Sequence, residues 1–346
     1  MMSKLIFPSR LSSLSKLNRM LRGHDFKGSK FFIIVDENSY SHCLPTLIAT
    51  VSALENAEFF EVPVGEDAKS LDVASQLWSS LLESHADRHS VIVNLGGGCV
   101  CDLGGFVAAG YQRGIRYINV PTTLLCMVDA AIGGKTAINL DNTKNQVGFF
   151  WHPEAICIHP DFLSSLPEEE YLNGFFEAVK TMYISDFDTH SINLNSIIHC
   201  ASFKQSVVKA DPTERSIRKI LNFGHTFGHG IESFAHEKGI PMKHGIAVGI
   251  GMACELYLSV KKLGFSEKLF KDYCNELLSL IDVPRFTLAD TEMVINYMRY
   301  DKKNRADLIL CVLLQDIGVP VVDVAISENE IRDTILHISK MKLSRE

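Results

Sequence analysis

Short runs of β-branched and aromatic residues punctuate the first half of the chain: Phe31 to Val35, Phe59 to Val62, Val91 to Leu95, Tyr117 to Val120 and Ala155 to Ile158. Between the second and third of these, Ser70 to Ser84 reads SLDVASQLWSSLLES. Leu71, Ala74, Leu77 and Leu81 recur there at spacings of three and four, which line one face of a helix. Strands separated by helices predict a parallel sheet covered on both faces. Beyond Leu166 and Pro167 the apolar spacing becomes mostly three and four, proline is scarce, and the next strand-like run is Leu308 to Leu314. The pattern therefore predicts an α/β domain over 1–166 and a mainly α-helical domain over 167–346, without internal repeats or low-complexity segments.

Composition narrows the function. The 346 residues include 34 Lys plus Arg against 41 Asp plus Glu, a net charge of −7. That balance excludes a duplex-binding role, because nucleic-acid affinity depends on neutralising phosphates. With 46% apolar and 22% charged residues the chain is an ordinary globular protein. The longest apolar stretches, such as Gly245 to Cys254, are about half the length of a bilayer span, so no membrane role is expected. Nine cysteines without a CxxC pair, several inside apolar runs as Cys311 is in LILCVLL, read as reduced core thiols of a cytoplasmic protein. Lys4, Arg10, Lys16, Arg19 and Arg22, with serines and no acid, superficially resemble a transit peptide. The adjoining KFFIIVD strand instead makes this segment the domain's own leading strand and helix.

Three groups of residues could carry chemistry. Val91 to Leu95 runs into Gly96, Gly97 and Gly98 and then CVCDLGGFVAAG. A strand, a glycine turn and a helix N-terminus present backbone N–H groups to a pyrophosphate, although Cys101 stands where GxGxxG has its third glycine. A structural tight turn explains the glycines about as well. Asp36 and Asn38, ending the first core strand, could hydrogen-bond a ribose. Next, NFGHTFGH (Asn222 to His229), if helical, puts His225 and His229 on one face, with His244 downstream and Glu177 and Lys180 upstream. A single His on an apolar face is ordinarily a core residue, but three beside glycines and an Asn pack poorly. One Glu and two His are also a zinc set with an open position. Lastly, Arg113 and Lys135 stand among glycines and apolar residues, where a phosphate or carboxylate partner is expected, unlike scattered surface lysines. Together these suggest a dinucleotide, a divalent metal and an anionic small substrate.

The motifs resemble the 3-dehydroquinate synthase family of sugar phosphate cyclases: GE.AKS from Gly65, GGG..CDL.GF from Gly96, QRG from Gln112, VPTTLL, VD..IGGKTAIN from Val128, KN.VG from Lys144, LP..E..NG..E..K from Leu166, LNFGHTFGH, HG.AV.IGM and DKKN. They occur in the family's order from about Asp36 to Asn304. The resemblance implies an NAD-binding α/β domain followed by a helical metal- and substrate-binding domain, with zinc (cobalt as an alternative) and a sugar-phosphate substrate in the cleft between them, and a homodimer. It implies that Glu177, His225 and His244 bind the metal, that His229 and Glu214 transfer protons, and that Asp129 and Lys135 sit where nicotinamide meets the reacting carbon, with Lys180 also in the reacting centre. Arg113, Asn145, Lys180, Lys204, Arg218, Asn222 and one of Lys302 and Lys303 are implied to grip the substrate. Asp36, Asn38, Glu66, Lys69, Gly97, Gly98, Cys99, Asp102, Thr122, Thr123, Lys135, Lys144 and the Phe162, Leu163, Ser164 and Ser165 turn are implied to line NAD.

The implied reaction converts 3-deoxy-D-arabino-heptulosonate 7-phosphate to 3-dehydroquinate and phosphate in the shikimate pathway of aromatic amino acid biosynthesis. It proceeds by transient oxidation, phosphate elimination, re-reduction and aldol closure. The chain departs from the family pattern at Cys101, Ala130, Ala131, Pro212 and Ile246, none of which is an implied ligand. The rival enzymatic readings are a related cyclase acting on another sugar phosphate, and a metal-dependent polyol or alcohol dehydrogenase of similar architecture. From another class, a degenerate binding or scaffold subunit has no evident need for Lys135, Lys180, Glu177, His225, His229 and His244 together.

Overall fold

A computed structural model describes residues 2–141, 143–187, 191–299 and 309–341. The chain divides into two compact units, Met1–Pro167 and Glu168–Glu346. The first contains β1 (Lys4–Ile6), α1 (Ser13–Leu21), β2 (Phe31–Asp36), α2 (Glu37–His42), α3 (Leu44–Thr50), β3 (Glu58–Val62), α4 (Leu71–Glu83), β4 (Val91–Gly96), α5 (Gly98–Gly110), β5 (Arg116–Pro121), β6 (Lys135–Leu140), β7 (Thr143–Phe150) and β8 (Ala155–Cys157). Six of its strands form one sheet in the order β1-β8-β5-β4-β2-β3, and every pairing in it is parallel. All five strand-like runs of this half lie in the sheet. The central strand β4, VIVNLG, is buried along its whole length, as a strand covered on both faces must be.

Helix α5 explains the small-residue texture after the glycine turn. It lies so close to its neighbours that a Cβ on Gly104 would stand 1.8 Å from Asn94 Oδ1 of β4, and one on Gly105 would stand 2.4 Å from Thr136 Cγ2 of the β6–β7 hairpin. Asn94, a polar residue in the middle of the sheet, donates from Nδ2 to Asn119 Oδ1 at 2.9 Å. Asn119 in turn donates to the Ala131 carbonyl at 3.3 Å, tying the sheet to the segment after β5. The leading segment forms the expected strand and helix, β1 and α1, whereas the antiparallel β6–β7 hairpin escapes the strand-and-helix pattern.

The second unit contains α6 (Glu168–Ser185), α7 (Leu194–Ala210), α8 (His225–Glu237), α9 (His244–Leu263), α10 (Glu267–Leu280), α11 (Leu288–Arg299), β9 (Ile309–Asp316), β10 (Val319–Ile326) and α12 (Glu328–Ile338). Its apolar core is shared by α6, α8, α9, α10, α11 and the β9–β10 hairpin. The single strand expected near Leu308 therefore has an antiparallel partner, β10, whose register is interrupted by bulges. NFGHTFGH is only partly α-helical: Asn222 ends a 3₁₀ turn, Gly224 is left-handed at φ 80°, and α8 starts at His225. The described cysteines are all free thiols, eight of them buried. No described helix is long and apolar enough to cross a membrane.

The contact between α5 and β4 yields a test with opposed signs. Helix propensity alone predicts that Gly104→Ala stabilises by up to about 1 kcal/mol. Because the new methyl meets a side chain fixed by its own hydrogen bond, the structure predicts destabilisation of about 1–3 kcal/mol, read as a lower urea midpoint.

Candidate active site

Within the first unit, the residues implied to bind the cofactor gather around the C-terminal ends of the parallel strands, the usual ligand edge of such sheets. Gly97 is the N-cap of α5, and Thr122 and Thr123 follow β5, with the Thr122 N–H donating to the Gly96 carbonyl at 3.0 Å. A Cβ on Gly97 would lie 3.1 Å from Thr123 Cγ2, so the glycine turn runs close against the threonines. Thr123 Oγ1 accepts from the Cys126 N–H at 3.2 Å and starts the π-helical turn Cys126–Ala130, which carries Asp129. Cys99 is half-buried, and burial together with Glu66 pushes its thiol up to about 12, so it is a neutral wall rather than a thiolate. Asp36 caps α2 through Ser39, and Asn38 is exposed on that helix.

Lys69 joins several of these residues. It is 3% exposed and donates to Asp102 at 2.8 Å and to Asn145 Oδ1 at 2.5 Å. Burial opposes its charge, but Asp102 and Glu66 outweigh that and raise the ammonium above its ordinary value. Glu66 accepts from Asn139 Nδ2 at 2.8 Å, with Lys144 Nζ 4.0 Å away. Asn145, implied to grip substrate, thus contacts a residue of the implied cofactor set. Lys135 begins β6 at an exposed position, and Arg113 is exposed on a turn at φ 69°. Phe162 is 5% exposed, its ring packed edge-on against His159 at 4.8 Å, so that side chain is committed to packing. Leu163, Ser164 and Ser165 complete the same 3₁₀ turn.

In the second unit, Glu177 on α6, His225 on α8 and His244 on α9 converge. Glu177 is 1% exposed; its Oε2 meets Lys180 Nζ, and its Oε1 lies 3.4 Å from His225 Nε2 and 3.5 Å from His244 Nε2. These contacts are long for hydrogen bonds. They match the separation of about 3.4 Å between ligand atoms that each stand about 2.1 Å from a shared tetrahedral cation. The far nitrogens are occupied: His225 Nδ1 lies 3.1 Å from the Phe223 carbonyl and His244 Nδ1 lies 2.9 Å from Glu232 Oε2. Both rings therefore direct Nε2 at Glu177. Their other nitrogens hold the outer hydrogen bonds typical of metal-binding imidazoles. His229 lies one helical turn beyond His225, with ring centroids 5.3 Å apart, and its ligand atom falls within 4.8 Å of those of His225 and His244.

Electrostatics favours an ionised carboxylate here. Burial pushes the Glu177 carboxyl up, but Lys180 and His244 pull it well below the usual carboxylate range. Burial likewise opposes charge on His244, yet Glu177 and Glu232 outweigh it and lift the imidazole to about 10. Glu232, which sequence reasoning missed, had a signal: it stands seven residues after His225, on the face that carries His229.

The loop before α8 gathers the rest. Asp211 is buried and accepts from the backbone of Arg215 at 3.0 Å, Ser216 at 2.6 Å and Arg218 at 3.1 Å. The loop so formed buries Arg218, which donates to the Pro212 carbonyl at 2.9 Å. It also sets Glu214, at φ 59°, to accept from Asn222 Nδ2 at 2.8 Å. Pro212 contributes to the loop through its carbonyl, the acceptor for Arg218. Lys204 is buried on α7, and Lys302 and Lys303 lie outside the described residues.

A family model described as 3-dehydroquinate synthase N-terminal matches residues 59–173, and one described as 3-dehydroquinate synthase C-terminal matches residues 171–304. The 3-dehydroquinate synthase of Parabacteroides distasonis is 38% identical over 323 residues, 90% of each chain. The crystal structure of a 2-deoxy-scyllo-inosose synthase with carbaglucose-6-phosphate, NAD+ and Co2+ is 25% identical, covers 94% of both chains and has a TM-score of 0.79. That of 2-epi-5-epi-valiolone synthase from Streptomyces hygroscopicus, with NAD+ and Zn2+ bound, is 21% identical, covers 98% of this chain and 97% of its own, and shares the fold at a TM-score of 0.81. The parallel-sheet unit and the helical unit are those of the sugar phosphate cyclases. Within that class, the chain belongs to the 3-dehydroquinate synthase family.

Asp211 gives the loop a defined pH dependence. The N–H of Arg215, with those of Ser216 and Arg218, holds its carboxyl down at about 2. A depressed folded value contributes stability above the unfolded value of about 3.9, and that contribution is lost as pH falls toward 2. Asp211→Asn should therefore unfold at lower urea than the parent at pH 6, with the gap closing as the pH is lowered. A gap that stays constant with pH would show that Asp211 acts through packing rather than charge.

Proposed function

We propose that the chain is a 3-dehydroquinate synthase, a carbon–oxygen lyase that converts 3-deoxy-D-arabino-heptulosonate 7-phosphate to 3-dehydroquinate and phosphate with NAD and a divalent cation. The observation that carries this reading is the Glu177, His225 and His244 geometry within a chain of this family. Those three would hold the cation; the donor set suits zinc, and cobalt is the natural substitute. When bound, the two cofactors supply reversible hydride exchange and Lewis acidity at the substrate hydroxyl.

The protein's own residues supply position and proton transfer. Glycines 97 and 98, at the start of α5, offer backbone N–H groups to a pyrophosphate, and Lys69, Asp102 and Glu66 form the charged wall beside them. The Asn119 bond to Ala131 steadies the turn that carries Asp129. Lys180 fixes one oxygen of Glu177 and leaves the other for the cation. His229 exchanges the proton of the substrate hydroxyl, and Glu214, oriented by Asn222, is the second proton carrier. Arg218, Lys204 and Asn222 of the second unit and Arg113 and Asn145 of the first are assigned to bind phosphate, carboxylate and hydroxyls, so local basic side chains rather than the net charge of −7 select an anionic substrate. The assignment extends to a homodimer in the cytoplasm, without nucleic-acid partners.

Phosphate release from the heptulosonate, with NAD and metal-depleted or zinc-restored protein, tests the reaction. Metal-dependent release without accumulating NADH is expected. Release only from sedoheptulose 7-phosphate or glucose 6-phosphate would assign a related cyclase, and accumulation of NADH a dehydrogenase. His225→Ala should lose zinc and turnover together. His229→Ala should keep zinc and lose about 10²–10⁴-fold in kcat; equal zinc loss in both variants by elemental analysis would contradict the separate roles.

A further inference from the structure

We propose that Glu232 is a positioning residue for the metal centre, holding the Nδ1–H of His244 so that Nε2 of that ring is aimed at the position beside Glu177. The proposal rests on the metal reading above and adds a residue to it. An imidazole that ligates a metal gives up the proton at the ligating nitrogen and keeps one proton, and an acceptor at the other nitrogen holds it there. Glu232 Oε2, 2.9 Å from Nδ1, is that acceptor, and Nε2 then points at Glu177 Oε1, 3.5 Å away. The same helix supplies the other member of the pair, since His225, His229 and Glu232 follow one another at four and three residues along one face of α8.

The two imidazoles are held in different ways. His225 stands against the Phe223 carbonyl, a neutral acceptor supplied by the backbone of its own turn. His244 is the first residue of α9, where the preceding residues 237–243 are mostly exposed. The backbone at that point is fixed independently: the Gly245 N–H donates to Asn173 Oδ1 at 2.7 Å, and a Cβ on Gly245 would lie 1.8 Å from the Asn173 carbonyl oxygen. Backbone anchoring does not set the rotation of the His244 ring; the Glu232 carboxylate does. It also raises the basicity of the ring as a ligand, which a neutral carbonyl does less. Removing Glu232 should therefore leave the α6–α9 junction standing and free the ring.

The test compares the parent, Glu232→Ala and Glu232→Gln after chelator stripping. Zinc affinity is measured by competition with a chromogenic chelator, the visible absorption of the cobalt-loaded proteins is recorded, and the metal-free proteins are melted. Glu232→Ala should bind zinc about 10–100-fold more weakly and alter the cobalt bands, while the metal-free protein still melts cooperatively, at a somewhat lower temperature for loss of the Glu232–His244 ion pair. Glu232→Gln should fall between the two, because its amide oxygen still accepts from Nδ1–H but carries no charge. Parental zinc affinity and an unchanged cobalt spectrum in Glu232→Ala would overturn the positioning role alone. If Glu232→Ala does not fold, Glu232→Gln decides: weakened affinity supports the role and parental affinity overturns it. A parent protein that takes up no zinc would overturn the metal reading and this proposal with it.

Discussion

An ionised carboxylate that is 1% exposed is costly to bury, and the helical unit is arranged around meeting that cost at Glu177. Lys180, equally buried and three residues further along α6, neutralises one oxygen. The other faces two imidazole nitrogens at 3.4 and 3.5 Å, and each imidazole has its remaining nitrogen occupied by an acceptor from the protein. Left to itself, such a group would be resolved by shorter hydrogen bonds. Here the rings stand back by the distance that a shared cation requires.

That standoff depends on how closely three helices approach. Helix α9 comes so near α6 at Gly245, and so near the start of α8 at Gly251, that a methyl at either position would lie about 2 Å or less from a backbone oxygen of the neighbouring element. A second buried carboxylate, Glu255 on α9, accepts from the Gly224 N–H at 2.6 Å and braces the left-handed turn just before His225. The apolar core shared by α6, α8, α9 and α11 supplies the rigidity against which these polar contacts can be held. In the sheet unit small residues act the same way, because Gly104 lets α5 sit over the Asn94 and Asn119 pair that steadies the Asp129 turn.

Much of this was legible from residue patterns, for physical reasons. Buried parallel strands must be continuously apolar and helices must show one face, so FFIIV, VIVNL and the Leu71 to Leu81 stripe declared themselves. The β6–β7 hairpin did not: β7 is exposed along its whole length, and TKNQVGFF has no alternation to betray a strand. VPVVDVAI hid β10 behind a proline and a bulged register. In the site, the spacing of His225 and His229 was visible, but the start of α8 was not, because Gly224 adopts a positive φ that spacing alone does not reveal. Glu232 was missed because its partner His244 begins another helix, and a contact between helices leaves no periodic trace. Asp211 has no signal in the sequence, because its work of tying three backbone N–H groups is a property of the folded loop.

On the function proposed above, Glu177, with His225 and His244, is a cation ligand rather than merely the ion-pair partner of Lys180. The most direct measurement is the zinc affinity of Glu177→Gln, with metal stoichiometry from elemental analysis and the metal-free fold checked by circular dichroism. A folded Glu177→Gln is expected to bind zinc at least about 100-fold more weakly than the parent. A folded variant that retains one zinc per chain at parental affinity would contradict it and transfer the metal to the three histidines, His225, His229 and His244.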